Sequence, residues 1–185
     1  MSESSLPEKI VAIDDRLEAA RIAHAFGGAL ALAYYAEPRA TIDIDVNVFV
    51  PPQGYPKVHD ALAPLGVGDD VDPAELERDG QCRLWWGRTP LDLFFAYAEI
   101  HEAMKKAVRR VPFGEDELPV LGPEHLVVCK AAFDRPKDWL DIEQVLVGVA
   151  ELDVEEIRGW LERLVGAGDP RLERFEQLAA EQTDT

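Results

Sequence analysis

The chain has 185 residues, 47% of them apolar, enough to bury a core in one domain or in one domain with a helical extension. Its 19 basic side chains against 36 acidic ones leave a formal net charge of −17, which disfavours a broad nucleic-acid or anionic-membrane face but not a nucleotide or a single RNA end. A phosphate-bearing ligand must therefore be met by a local site.

No apolar segment follows a basic start, and no apolar run approaches the ~20 residues of a membrane helix, so the expectation is a soluble, cytoplasmic protein with no membrane partner. The 2 cysteines, Cys82 and Cys129, show no CxxC spacing and read as reduced, buried small hydrophobes. The polar ends, residues 1–8 and 180–185, are expected to fray.

In chain order, residues 14–25 read as an amphipathic helix, with Leu17, Ala20, Arg21 and His24 at helical spacing. Gly27-Gly28 interrupts it, and residues 29–36 resume with good helix formers that stop near Pro38. Residues 41–50 alternate as a strand: Ile42, Ile44, Val46 and Val48 face one way, Asp43, Asp45, Asn47 and Phe49 the other. Pro51-Pro52 ends it. A helix over residues 55–65 closes at Gly66. Residues 67–80 are acidic and turn-rich, an expected exposed loop. Residues 82–86 and 90–96 are strands of a hairpin around Gly87-Arg88-Thr89. Residues 99–108 are helical, and residues 109–120 form two short strands around Gly114-Glu115. Four helices follow, over 123–133 with Pro123 as first residue, 138–149, 154–165 and 170–180. The predicted class is α+β: a small mixed sheet with packed helices over residues 9–121, then a helical subdomain over 122–181.

The chemistry concentrates between Gly27 and Asp45. Two glycines let backbone N–H groups approach a phosphate at a helix start. Asp43 and Asp45 share a strand face, about 6.6 Å apart along it. Carboxylates so placed can hold hard divalent ions that bridge triphosphate oxygens. A glycine pair is more often a simple turn, and an Asp-x-Asp more often a solvated face. Aspartate, however, is a poor strand former, and like charges on one face repel, so the combination points to a site. Asp92, inside the apolar run Pro-Leu-Asp-Leu-Phe-Phe, offers a third carboxylate, for metal or for the proton of an attacking hydroxyl; its alternative is an edge-strand or cap role. Arg39 can bind phosphate or pair with Asp43 or Asp45, and Thr41 opens the strand. Lys130 can snorkel from its apolar helix, and Asp138 can cap a helix start. The histidines His24, His59, His101 and His125 lack metal-ligand spacing. Trp85-Trp86 are expected to serve core packing more than a base pocket. Lys105-Lys106 and Arg109-Arg110 form the one basic cluster, a solvated helix end or a guide for an RNA end.

Together, Gly27-Gly28, Arg39-x-Thr41-x-Asp43-Ile44-Asp45 and Leu91-Asp92-Leu93 resemble the signature of the nucleotidyltransferase superfamily, built on the polymerase-beta-like fold. The run Lys130, then Asp134-Arg135-Pro136-Lys137-Asp138-x-x-Asp141, is similar to a later motif of the AbiEii-like abortive-infection group of type IV toxin–antitoxin systems. The resemblance implies that Gly27 and Gly28 contact the triphosphate, with Asp43, Asp45 and Asp92 holding magnesium (or manganese). It assigns Asp92 as base, has Lys130 and Asp138 either touch the nucleotide or position the helices, and groups Arg39 and Thr41 with the nucleotide-binding residues. The implied reaction moves a nucleoside monophosphate from a nucleoside triphosphate to an acceptor hydroxyl on tRNA, a protein or a small molecule such as an antibiotic. A toxin of this kind would have a cognate antitoxin as partner. The rival reading is a non-catalytic nucleotide- or partner-binding module on the same fold.

Overall fold

The computed structural model describes residues 4–183. Its first helix, α1 (Leu6–Ala19), begins inside the segment expected to fray. The Glu8 carboxylate accepts the Ser5 N–H at 2.7 Å, and Ile10, Ile13 and Leu17 turn a buried face inward. The far end is likewise more ordered than expected, since the last helix extends to Thr183.

The helix expected over residues 14–25 ends at Ala19 instead. Arg21 takes the left-handed conformation (φ 54°), its N–H reaching the Glu18 carbonyl and that of Ile22 reaching the Leu17 carbonyl, both at 2.9 Å. This is the hydrogen-bond pattern that closes a helix, with arginine where glycine is usual. The next residues form strand β1 (His24–Phe26), buried throughout. Alanine-rich helical propensity is overruled there by pairing on both edges.

The strands that follow are β2 (Ile44–Val48), β3 (Gln81–Trp86), β4 (Thr89–Phe95), β5 (Arg109–Phe113) and β6 (Asp116–Val120). They form one sheet in the order β3-β4-β2-β1-β6-β5. The β1/β2, β3/β4 and β5/β6 pairs are antiparallel, whereas β2/β4 and β1/β6 are parallel, so the sheet is mixed as predicted. Strand β2 is shorter than expected because Thr41 turns the chain before it: the Thr41 hydroxyl accepts the Asp43 N–H at 3.2 Å. Thr41 therefore does not open the strand, and Ile42 is exposed.

Helices α2 (Gly28–Leu32), α3 (Tyr55–Leu62), α4 (Pro73–Asp79) and α5 (Glu99–Lys106) intervene. Helix α4 lies in the segment expected to be an exposed loop. Asp72 caps it, its carboxylate accepting the Ala74 N–H at 2.8 Å, and Leu76 anchors it as its buried residue. The C-terminal helices are α6 (Pro123–Phe133), α7 (Pro136–Gly148), α8 (Val154–Val165) and α9 (Pro170–Thr183).

The chain divides into two compact units. The first takes the residues up to Leu30 and Ala40–Val120, with Ile13, Leu17, Val46, Leu91, Leu93 and Phe95 in its core. The second takes Ala31–Arg39 and the chain from Leu121 onward. There α6 packs on α7, α8 and α9 around Val127, Trp139, Ile142, Leu161 and Phe175. The Tyr35 hydroxyl donates to the Leu121 carbonyl at 2.8 Å, tying residues 31–39 into this unit. Among the described residues no helix is long and apolar enough to cross a membrane.

Candidate active site

In the first unit the sheet register builds the site. Asp45 on β2 lies opposite Asp92 on β4, and Asp92 lies opposite Arg83 on β3. Residues directly opposite share a face, so Asp45, Asp92 and Arg83 form a row across three strands. Asp43 precedes β2 on the Asp45 face. The Arg83 guanidinium grips both oxygens of Asp92, Nε to Oδ1 and Nη2 to Oδ2, each at 2.7 Å. Its Nη2 is also 3.8 Å from the Asp43 Oδ2. Of the three side chains Asp92 is the most enclosed, at 18% exposure against 37% for Asp43 and 50% for Arg83. The Asp92 hydrogen bond, joined by the charges of Asp92, Asp43 and Asp45, holds Arg83 above the usual arginine range against a smaller opposing effect of burial.

The glycine turn is built into the same row. Gly27 N–H donates to the Asp45 carbonyl at 2.9 Å, extending the β1/β2 pairing by one bond. Gly28 then takes φ +53°, and a Cβ at that position would collide with the Asp45 carboxylate. Glycine is required twice over, by its backbone conformation and by the close approach of Asp45. Gly27, Gly28, Asp43, Asp45 and Asp92 thus belong to one neighbourhood of the first unit, and Thr41 joins it through its turn with Asp43. Among the described residues no three carboxylate, imidazole or thiol groups are arranged to share a metal ion; the aspartates gather around a guanidinium instead. Their chemistry fits a hard divalent cation, since three carboxylates on one face supply only oxygen.

Arg83 escaped the sequence reading, although a signal was present. A two-residue turn at Gly87-Arg88 pairs Trp86 with Thr89, and counting outward brings Arg83 to Asp92. Trp85, on the Arg83 face, is 51% exposed and Trp86, on the other face, is half-buried, so neither ring is fully buried where one was expected to pack in the core. Cys82 is half-buried, as is Cys129, where full burial was expected. Burial, with a contribution from the Asp92 charge, pushes the Cys82 thiol up to about 12. His24 is committed to structure: its Nε2 lies 2.8 Å from the buried Asp14 carboxylate and its Nδ1 2.9 Å from the Ile22 carbonyl.

The other expected site residues, Arg39, Lys130 and Asp138, lie in the second unit. Lys130 does not snorkel; it is buried and donates to the Asp141 carboxylate at 2.6 Å, with Asp138 at 3.9 Å. Arg39 pairs with Asp141, not with Asp43 or Asp45, through contacts of 3.3 and 3.2 Å. Asp138 is fully buried and accepts from the Arg135 backbone N–H at 3.3 Å and from its guanidinium at 2.6 Å, which is a capping role at the start of α7.

No family model and no curated protein sequence matches the chain. Solved structures do. The chain superposes on the solution structure of the antibiotic-resistance factor ANT(2'')-Ia with a TM-score of 0.61, at 15% identity over 97% of each chain. A crystal structure of ANT(2'')-Ia in complex with adenylyl-2''-tobramycin gives 0.57, at 16% identity over 98% of each chain. The lincosamide antibiotic adenylyltransferase LnuA, lincomycin-bound, gives 0.55 at 14% identity, over 77% of this chain and 98% of that one. The mixed six-stranded sheet followed by C-terminal helices is the nucleotidyltransferase-like fold.

Proposed function

We propose that this protein is a nucleotidyltransferase that moves a nucleoside monophosphate from a nucleoside triphosphate to an acceptor hydroxyl. The observation that carries the reading is the register: Asp45 opposite Asp92, with Asp43 on the same face and the Gly27-Gly28 turn closed against Asp45. The fold it sits in is also that of ANT(2'')-Ia, solved in complex with adenylyl-2''-tobramycin, and of the lincosamide antibiotic adenylyltransferase LnuA. Asp43, Asp45 and Asp92 would hold magnesium or manganese, which supplies charge neutralisation of the triphosphate when bound. The Gly27-Gly28 turn brings backbone within reach of the phosphates. The acceptor oxygen attacks the α-phosphorus, the α–β bridging bond breaks, and pyrophosphate leaves. Asp92 takes the acceptor proton once Arg83 has released an oxygen.

A small hydroxylated acceptor is favoured over a long nucleic acid. The net charge of −17 opposes a broad phosphate-binding face, and the fold relatives named above act on or bind antibiotics. A place in the abortive-infection branch, with a cognate antitoxin and with Arg39, Lys130 and Asp138 acting toward nucleotide, rests on the motif resemblance alone. A second reading, a non-catalytic nucleotide-binding module, is favoured by the grip of Arg83 on both Asp92 oxygens.

The test is incubation with each labelled triphosphate and magnesium or manganese, offering total RNA, cell extract, tobramycin and lincomycin as acceptors. Label transfer is expected and should fall on the order of 10²-fold or more in Asp43→Asn and in Asp45→Asn. A thermal shift on adding triphosphate, with no transfer to any acceptor, would mean the binding module is correct.

A further inference from the structure

In the first unit Arg83 reaches two of the three site aspartates. It bonds both Asp92 oxygens at 2.7 Å and approaches Asp43 at 3.8 Å. Three carboxylates on one sheet face repel unless a positive charge stands among them, and Arg83 supplies that charge. A divalent cation bound by the same carboxylates needs the same lone pairs, so guanidinium and metal cannot both hold Asp92 in full. Arg83 is free to leave: it sits on edge strand β3 and is half exposed. A long flexible side chain there can pivot about its Cβ without disturbing the sheet. A displaced guanidinium remains beside the site, and its planar fork of donors suits phosphate oxygens.

We propose that Arg83 is an exchangeable internal cation. It holds the aspartate site closed in the absence of nucleotide, yields the carboxylates to the divalent ion, and then turns to the triphosphate as a positioning residue. The inference rests on the metal–triphosphate reading of the site.

The test uses the full chain and two probes. Manganese alone is titrated by the loss of its free-ion magnetic resonance signal. A non-transferable α,β-methylene ATP is titrated calorimetrically with magnesium present. Arg83→Gln should bind manganese about tenfold more tightly than the parent and the analogue about tenfold more weakly, each ~1.4 kcal/mol. Effects of opposite sign are what a merely structural residue would not produce. Arg83→Lys, which keeps the charge but loses the fork, should fall between for manganese, and melting curves of both variants check that they fold. The Arg83→Gln gain should vanish when Asp43→Asn and Asp45→Asn are added.

Equal or weaker manganese binding by Arg83→Gln, with the parent still binding, overturns the exchange role and leaves the metal site standing. An unchanged analogue affinity overturns the phosphate contact. Absence of manganese binding in every form, with or without the analogue, overturns the site itself.

Discussion

Gly28 shows how one residue can carry both backbone and site. Its φ of +53° favours glycine, and a Cβ would meet the Asp45 carboxylate. Gly114 is a natural control, with φ +65° and nothing within 4 Å of its Cβ position. Gly114→Ala should cost roughly 1 kcal/mol from backbone conformation alone. Gly28→Ala should cost at least about 1 kcal/mol more and should abolish triphosphate-dependent transfer, because Asp45 must move. Thermal melts of both variants with a transfer assay check this, and equal costs at the two positions would remove the close approach from the account. The residue scale is also where sequence and structure agree unevenly. Asp43, Asp45 and Asp92 were legible as misfits in apolar strands. Arg83 was not, because an arginine on a strand is ordinary until its cross-strand partner is known.

Helix α6 shows the same tension between elements. Its residues are almost all buried, and they include ionisable ones: Glu124, His125 and Lys130. Lys130 is satisfied by Asp141 from α7. His125 is not; both ring nitrogens lack a hydrogen-bond partner, its Nε2 standing 3.6 Å from the Glu156 carboxylate of α8 and its ring near Trp160. Burial pushes its imidazole below the ordinary value, against the smaller upward pull of Glu156 and Glu124. The folded state therefore holds it neutral. The stability it contributes is present above the unfolded-state value of about 6.5 and is lost as pH falls through the lower folded-state value. His125→Leu should stabilise at neutral pH by about 1 kcal/mol by removing two orphaned nitrogens. It should also lose less stability than the parent between about pH 7.5 and about pH 5.5. Melting temperatures of the two proteins at both values decide it; parallel losses would show that other groups set the acid sensitivity. The sequence placed α6 and α8 with their observed bounds, since α6 is a mostly apolar run opened by Pro123 and α8 is amphipathic, with Ile157 and Leu161 buried among charged residues. Periodicity misplaced β1, whose three residues depend on neighbours brought from Val46–Val48 and Val120.

For the whole molecule the net charge of −17 governs behaviour. Self-repulsion at this level destabilises the folded state and is screened by salt. Raising ionic strength from ~0.01 M to ~0.15 M shortens the screening length from ~30 Å to ~8 Å. A gain of about 1 kcal/mol, or roughly 2–4 °C in melting temperature, is expected for a chain of this size. A fall on adding salt would mean that ion pairs such as Arg83–Asp92 and Lys130–Asp141 outweigh the net repulsion. The amino-acid sequence by itself determined the α+β class, the helical C-terminal third, the hairpin around Gly87 and the aspartates set into apolar strands. These are properties of local periodicity and residue type, which survive without knowing what lies across the sheet. The tertiary structure alone decided that Asp45 faces Asp92, that Arg83 lies on Asp92, and that Arg39 serves Asp141 in the second unit. Those pairings join residues distant in sequence, and they follow from strand order and register once residues 24–26 leave the helix to become the strand between β2 and β6.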